Sequence, residues 1–399
     1  AEAIHAAVGG GGPAGRLAAL AGELARLIET HVDRALAELP AGQEAAEAAL
    51  PEDALWELRP QFDQAFVEHL EYRRETRSFS ADDPFVDLYF ELLRFLEVLE
   101  TAEGDAFSHL VDRQGGERRL AILCKDPGRF LGRIFSGAHA VVGLSATLSP
   151  HDFYRDLLGL DHERFRVLTL PSPFPREHRR IVIDARVGTA WRERERNYGP
   201  IALRIAELAR AVSGNCMVLF PSYEFLREVS ERLPATGRRV LVQTRTDDEE
   251  ARTRILDTLR SALLGDVLLL AVAGGVFAEG VDYPGDMLKA VAVVGPCLPA
   301  VSLERQLLKD YYQERFERGF EYAFVVPGMT RVVQAAGRLI RSSGDRGVIA
   351  LLDRRFLHPP YRHHLPDHWL DGGEVRELAG DPAAAAAEFF AQQELEMRS

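Results

Sequence analysis

DVLLLAVAGGVFAEGVDYPG, residues 266–285, runs through seven consecutive apolar residues after Asp266 and then breaks at a pair of glycines. A half-buried strand alternates apolar and polar residues, whereas this run has no polar side, which suits a strand covered on both faces. The same texture recurs in RIVIDA (180–185), CMVLF (216–220), RRVLVQT (238–244), KAVAVVG (289–295), YAFVV (322–326) and GVIALLD (347–353), and earlier in LAILC (120–124) and AVVGL (140–144). Helical patterns separate these runs. The expectation is an α/β fold, a parallel sheet flanked by helices, with ligand chemistry in the loops beyond the carboxyl ends of the strands.

Before residue 118 the texture differs. Leu20, Leu24, Leu27, Ile28, Val32, Ala35 and Leu39 recur at helical spacing up to Pro40, and similar patterns cover 55–74 and 85–99. A mainly helical module therefore precedes the sheet. The chain has 399 residues, 46% of them hydrophobic and 27% charged, enough for two or three domains. A net charge of -13 argues against sequence-blind coating of nucleic acid but leaves room for a local basic groove. Cys124, Cys216 and Cys297 lie too far apart for metal-ligand spacing or a disulfide framework, so a reducing, cytoplasmic setting is expected. No apolar run is long enough to suggest a membrane span. The opening AEAIHAAVGGGGPAG reads as a chain cut within a longer one.

Four stretches carry chemistry. In QAAGRLIRSSGDRG (334–347), Gln334, Arg338 and Arg341 fall at i, i+4 and i+7, one stripe of a helix, with Gly337 at its edge. Val332, Val333, Ala336, Leu339 and Ile340 cover the rest of that helix, so it is expected to be mostly buried, and its two buried guanidiniums then need an anion opposite them. In GGVFAEGVDYPG (274–285), Glu279 and Asp282 flank Gly280 directly after a buried strand and suit bridging to arginines or to a nucleotide. SATLSP (145–150) offers the hydroxyls of Ser145 and Thr147 after a strand, with Ser149 placed as a helix cap. FPSYEFL (220–226) puts Ser222 at a helix N-cap, with Tyr223 and Phe225 as stacking surface and Arg245 and Arg252 as nearby charge. Two further stretches point away from chemistry. Asp248–Ala251 (DEEA) reads as a helix start in a charge run, and Pro366 interrupts the helix that a His364/His368 metal pair would need. The chain contains three lysines, Lys125, Lys289 and Lys309, and no GxxxxGK[ST] phosphate cradle.

Taken in order, these motifs closely resemble the later motifs of superfamily 2 DNA helicases of the XPD and DinG type, over roughly residues 118 to 370. The resemblance implies RecA-like domains that close on ATP while single-stranded DNA tracks across them 5′ to 3′. It implies residues 1–115 as a helical arch-like module, 116–150 as the last segment of helicase domain 1, 151–385 as RecA-like helicase domain 2, and 386–399 as a tail. By the same resemblance Gln334, Arg338 and Arg341 would be catalytic, sensing the γ-phosphate. Glu279, Gly280, Asp282, Gly337, Ser145 and Thr147 would bind or couple the nucleotide, and Ser222 and Tyr223 would lie on the DNA path. ATP and Mg²⁺ would be bound mainly by an amino-terminal half, and the cysteines of any iron–sulfur cluster belong upstream as well, so this chain is expected to hold no metal. Its partners would be single-stranded DNA and that amino-terminal half, not a membrane. The rival expectations are a non-catalytic RecA-like nucleic-acid-binding or docking protein, and an unrelated α/β transferase binding a phosphorylated ligand at GGVFAEGVD.

Overall fold

In the computed structural model the described residues are 14–40, 42–78, 82–261, 267–370 and 374–398. They separate into two compact units, one of the described residues up to Gly137 with 157–159 and 302–308, the other of 138–156 and the described residues among 160–301 and from 309 onward.

The first unit contains the three anticipated helices, Ala14–Ala37, Glu52–Thr76 and Pro84–Thr101. Leu17, Leu20, Leu24, Phe62, Phe85, Leu92 and Leu96 bury one stripe of each in a common core. Asp83 starts the third helix by accepting from the amides of Phe85 and Val86. The same carboxylate accepts from His69 Nε2 at 2.8 Å and Arg73 Nη2 at 2.5 Å. Burial alone would raise its pKa, but these donors outweigh it and hold the carboxyl below its usual range.

Periodicity missed a small antiparallel sheet in this unit, made of β1 (Ala45–Glu47), β2 (Phe107–Gln114) and β3 (Glu117–Cys124) in that order. LAILC is therefore a strand, but it pairs with β2 in a hairpin and has no place in the parallel sheet. The 115/116 division falls in this hairpin's turn, at Gly115 and Gly116, while the compact unit continues to Gly137.

The second unit is built on six parallel strands. These are β4 (Arg179–Ile183), β5 (Cys216–Phe220), β6 (Arg239–Val242), β7 (Val267–Val272), β8 (Ala290–Val294) and β9 (Gly347–Leu352), in the order β4-β9-β8-β5-β7-β6. Every residue of β5, β7, β8 and β9 is buried, as their unbroken apolar runs demand. Alternate residues serve two cores. Met217, Leu219, Leu269, Val291 and Ile349 pack with Met329, Val332 and Ala335 of the helix Val326–Ala336. Val218, Phe220, Leu268, Ala292 and Val348 pack with Ile201 and Ile205 of Arg194–Ala211 and with Leu226 of Tyr223–Ser230.

Buried Asn215 ties the amino ends of three strands. Its Oδ1 accepts from Val267 N at the start of β7, and its Nδ2 donates to the carbonyls of Met287, ahead of β8, and Leu259.

Two other expected strands are absent. YAFVV forms a π-helical turn, Glu321–Val325, that leads straight into the helix Val326–Ala336. A short buried apolar run carries no period that distinguishes strand from helix. AVVGL forms no strand and exposes Val142 and Leu144, since among the described residues no neighbouring strand pairs with it. No helix of the described residues is long and apolar enough to cross a membrane.

Candidate functional site

The loop after β7 turns through Gly274, whose φ of +86° falls in the left-handed region that favours glycine. The chain then makes one helical turn, Val276–Glu279, before Gly280 and Asp282. Tyr283 and Gln243 help to fix this loop. Tyr283, almost fully buried, donates its hydroxyl to the carbonyl of Phe277 at 2.8 Å, and burial pushes its pKa up. Gln243, just past β6, accepts from Val272 N at 3.0 Å.

The helix Val326–Ala336 ends at Gly337, earlier than its stripe of polar residues suggested. Gln334 sits on its last turn, while Arg338 and Arg341 lie on the turn beyond it. The helix tightens as it ends, Arg338 N donating to the Ala335 carbonyl and Leu339 N to that of Ala336, and the glycine and serines that follow disfavour its continuation. Beyond it Asp345, buried, fixes the loop: its Oδ2 accepts from the amides of Arg341 and Ser342 at 2.7 Å each and its Oδ1 accepts from the Ser342 hydroxyl. The expectation of two buried arginines fails for Arg341 and not for Arg338, which is largely covered. The Arg338 side chain is 14% exposed, the Arg341 side chain 45% exposed, and Gln334 faces solvent.

What faces the arginines is backbone carbonyl as well as a carboxylate. Arg338 donates Nε to the carbonyl of Ala278 at 2.9 Å and Nη1 to that of Val281 at 2.7 Å, clamping the loop after β7. Asp282 Oδ1 lies 3.5 Å from Arg338 Nη1 and 3.4 Å from Arg341 Nη2, with its side chain 79% exposed. Gln334 Nε2 donates to Thr147 Oγ1 at 3.3 Å, Thr147 N donates to Ser145 Oγ at 3.1 Å, and Tyr154 donates its hydroxyl to the Thr147 carbonyl. The structure thus brings together Gln334, Gly337, Arg338, Arg341, Gly280, Asp282, Ser145 and Thr147. The side chain of Glu279 lies outside the described residues.

Ser222 caps its helix by accepting from Phe225 N at 3.2 Å. Phe225 offers no stacking surface, because it is buried with its ring 4.9 Å from that of Tyr198. Tyr223 is half-buried, with the Arg245 guanidinium 5.3 Å from its ring centroid. Arg252 is exposed on the helix Glu249–Ser261, whose start Asp248 caps by accepting from Ala251 N at 2.7 Å. His364 is buried 3.4 Å from Glu321, and desolvation lowers its pKa. Among the described residues no group of three or more His, Cys, Asp or Glu is placed to hold a metal.

Sequence reasoning passed over Asp345, Gln243 and Arg331, the last reaching the loop after β7 beside Gly274. The run SSGD, in which Ser and Asp favour local amide contacts, was the available signal for Asp345.

Residues 205–372 match the family described as "Helicase C-terminal domain". A probable ATP-dependent helicase of Methanocaldococcus jannaschii is 28% identical over 289 residues, covering 68% of this chain and 42% of that relative. The ATP-dependent DNA helicase YoaA of Escherichia coli is 30% identical over 223 residues, 54% of this chain and 33% of its own. The general transcription and DNA repair factor IIH helicase subunit XPD of Schizosaccharomyces pombe is 27% identical over 271 residues, 62% of this chain and 34% of its own. The chain thus spans less than half the length of these curated relatives. A solved structure titled XPD helicase shares the fold, with a TM-score of 0.59 at 19% identity, over 88% of this chain and 62% of that one.

Proposed function

We propose, for a chain that belongs to the superfamily 2 helicases of the XPD and DinG type through its helicase C-terminal domain, that it serves an ATP-dependent 5′–3′ DNA helicase acting at single-strand/duplex junctions in repair or replication. In that enzyme residues 151–385 act as helicase domain 2, 116–150 close domain 1, and the helical region before them is arch-like.

The observation that carries this reading is the division of labour between the two arginines. Arg338 is committed to the carbonyls of Ala278 and Val281, whereas Arg341 keeps a half-exposed guanidinium near exposed Asp282. An exposed ion contact of that kind contributes little, so a γ-phosphate readily draws Arg341 away from Asp282. ATP with Mg²⁺ supplies the phosphoanhydride whose cleavage drives the cycle, held by a phosphate cradle that this sequence lacks.

The chain's own residues do the rest. Arg341 stabilises charge on the γ-phosphate, and Gln334 links that event to Thr147 and Ser145. Asp282, released from Arg341, passes it with Gly280 and Glu279 along the loop after β7, and Gly337, between Gln334 and Arg338, lies against the nucleotide. Ser222 and Tyr223 meet single-stranded DNA. The rest of the enzyme is also the natural cover for the apolar side chains of Val142, Leu144, Leu168 and Leu170, each at least 73% exposed. Any iron–sulfur cluster would be held outside this chain.

The test is DNA-stimulated ATP hydrolysis by these 399 residues alone. Turnover should be absent, and rates comparable to an intact helicase would overturn the proposal.

A further inference from the structure

The loop after β4 is held more firmly than a connection requires. Gly188 N donates to Asn197 Oδ1 at 3.3 Å, and Thr189 donates both its amide and its hydroxyl to Asp353 Oδ2, at 2.8 and 2.7 Å. Asp353 is fully buried just past β9 and is also paired with Arg355 at 2.9 Å. A Cβ at position 188 would lie 2.5 Å from Glu193 Oε2, so glycine lets the loop press against the Glu193–Arg354 ion pair.

This braced loop displays Trp191, 75% exposed. The Arg194 guanidinium lies 3.5 Å from the indole centroid, which backs the ring and leaves most of it open. Arg194, with an 18% exposed side chain, is itself fixed by Glu224 at 3.2 Å. Glu224 adjoins Tyr223, whose ring carries Arg245. Two aromatic–guanidinium pairs, one after β4 and one after β5, are therefore joined along the carboxyl edge of the sheet by a single ion pair.

Scattered surface aromatics need no explanation. A tryptophan braced through a buried aspartate and backed by a fixed arginine is a different case. Of the acids around it, Glu193 is paired with Arg196 and Arg354 and Glu224 with Arg194, while Glu195 is exposed on the first turn of the following helix. Arg192 next to it is exposed and available to a phosphate. A flat, open π-face with a spare cation suits an unpaired base on a sugar–phosphate backbone, recognised without regard to sequence.

We propose that Trp191, backed by Arg194, is a stacking platform for an unpaired base of single-stranded nucleic acid, and that the strand continues toward Tyr223. The proposal rests on the nucleic-acid reading above.

Binding of the 399-residue chain to a fluorescein-labelled oligothymidylate, followed by anisotropy, tests it. An abasic strand of equal length serves as the second probe. Trp191→Ala should weaken oligothymidylate binding about tenfold, the scale of one lost stacked base, while Trp191→Phe keeps most of the affinity. The abasic strand should bind wild type and Trp191→Ala equally. The platform is overturned if Trp191→Ala binds oligothymidylate as wild type does, as it would if the face docks a protein, or if it weakens both strands alike. Failure of the wild type to bind oligothymidylate would remove the nucleic-acid reading itself, and the platform with it. An unchanged thermal midpoint, expected for so exposed a side chain, confirms that the variants are folded.

Discussion

Replacing Arg338 and Arg341 separately by alanine should split stability from catalysis. Arg338→Ala removes two charge-assisted hydrogen bonds to the carbonyls of Ala278 and Val281 from a site only 14% exposed. Such bonds are each worth about 1.5–3 kcal/mol, and water admitted to the freed carbonyls returns part of that, so the expected loss is about 3 kcal/mol. For a unit of this size that corresponds to a fall of roughly 6–12 °C in thermal midpoint. Arg338→Lys keeps the charge but cannot reach both carbonyls, so it should fall between. Arg341 is 45% exposed and 3.4 Å from an exposed carboxylate, so Arg341→Ala should shift stability by less than about 1 kcal/mol. In the complete enzyme, however, Arg341→Ala should lower ATP turnover by about 10³-fold or more, the scale of a lost arginine finger. Calorimetry on the chain, with amide hydrogen exchange across residues 274–285, reads the first effect, and steady-state hydrolysis by the complete enzyme reads the second. Equal destabilisation by the two alanines, or full ATP turnover in Arg341→Ala, would refute the assignment.

Two further outcomes are expected. Asn215→Ala leaves the Val267 amide and the Leu259 and Met287 carbonyls without their buried partner, and should cost about 2–4 kcal/mol in urea unfolding of the second unit. Asp83 is held below its usual pKa in the fold, so its contribution is fully present above the ordinary carboxylate range and is lost as pH falls through the folded value. Wild type should therefore lose more stability than Asp83→Asn when acidified from about pH 5 to about pH 3. A parallel decline in the two proteins would exclude that role.

Much of the sheet was legible because burial on both faces writes itself directly into sequence. CMVLF, DVLLLAV, KAVAVVG and GVIALLD became β5, β7, β8 and β9 with little error at their ends. YAFVV has the same composition and became helix, because five apolar residues carry no period and only the neighbouring elements decide. At the site, the residue types were legible but their scaffold was not. Helical spacing placed Arg338 and Arg341 on one stripe, yet the helix ends at Gly337 and buried Asp345 holds the amides of Arg341 and Ser342 in the loop beyond it. The contact of Arg194 with Glu224 joins residues 30 apart, and no local pattern encodes it.

Asn215 fastens β5, β7 and β8 at their amino ends, the side of the sheet away from the loops that carry Ser222, Asp282 and Trp191. Strand register is thereby set at the end of the sheet opposite the candidate site. Insertions and substitutions in the opposite loops can then be absorbed without slipping the sheet, so one end of the module can diversify its contacts while the other preserves the fold.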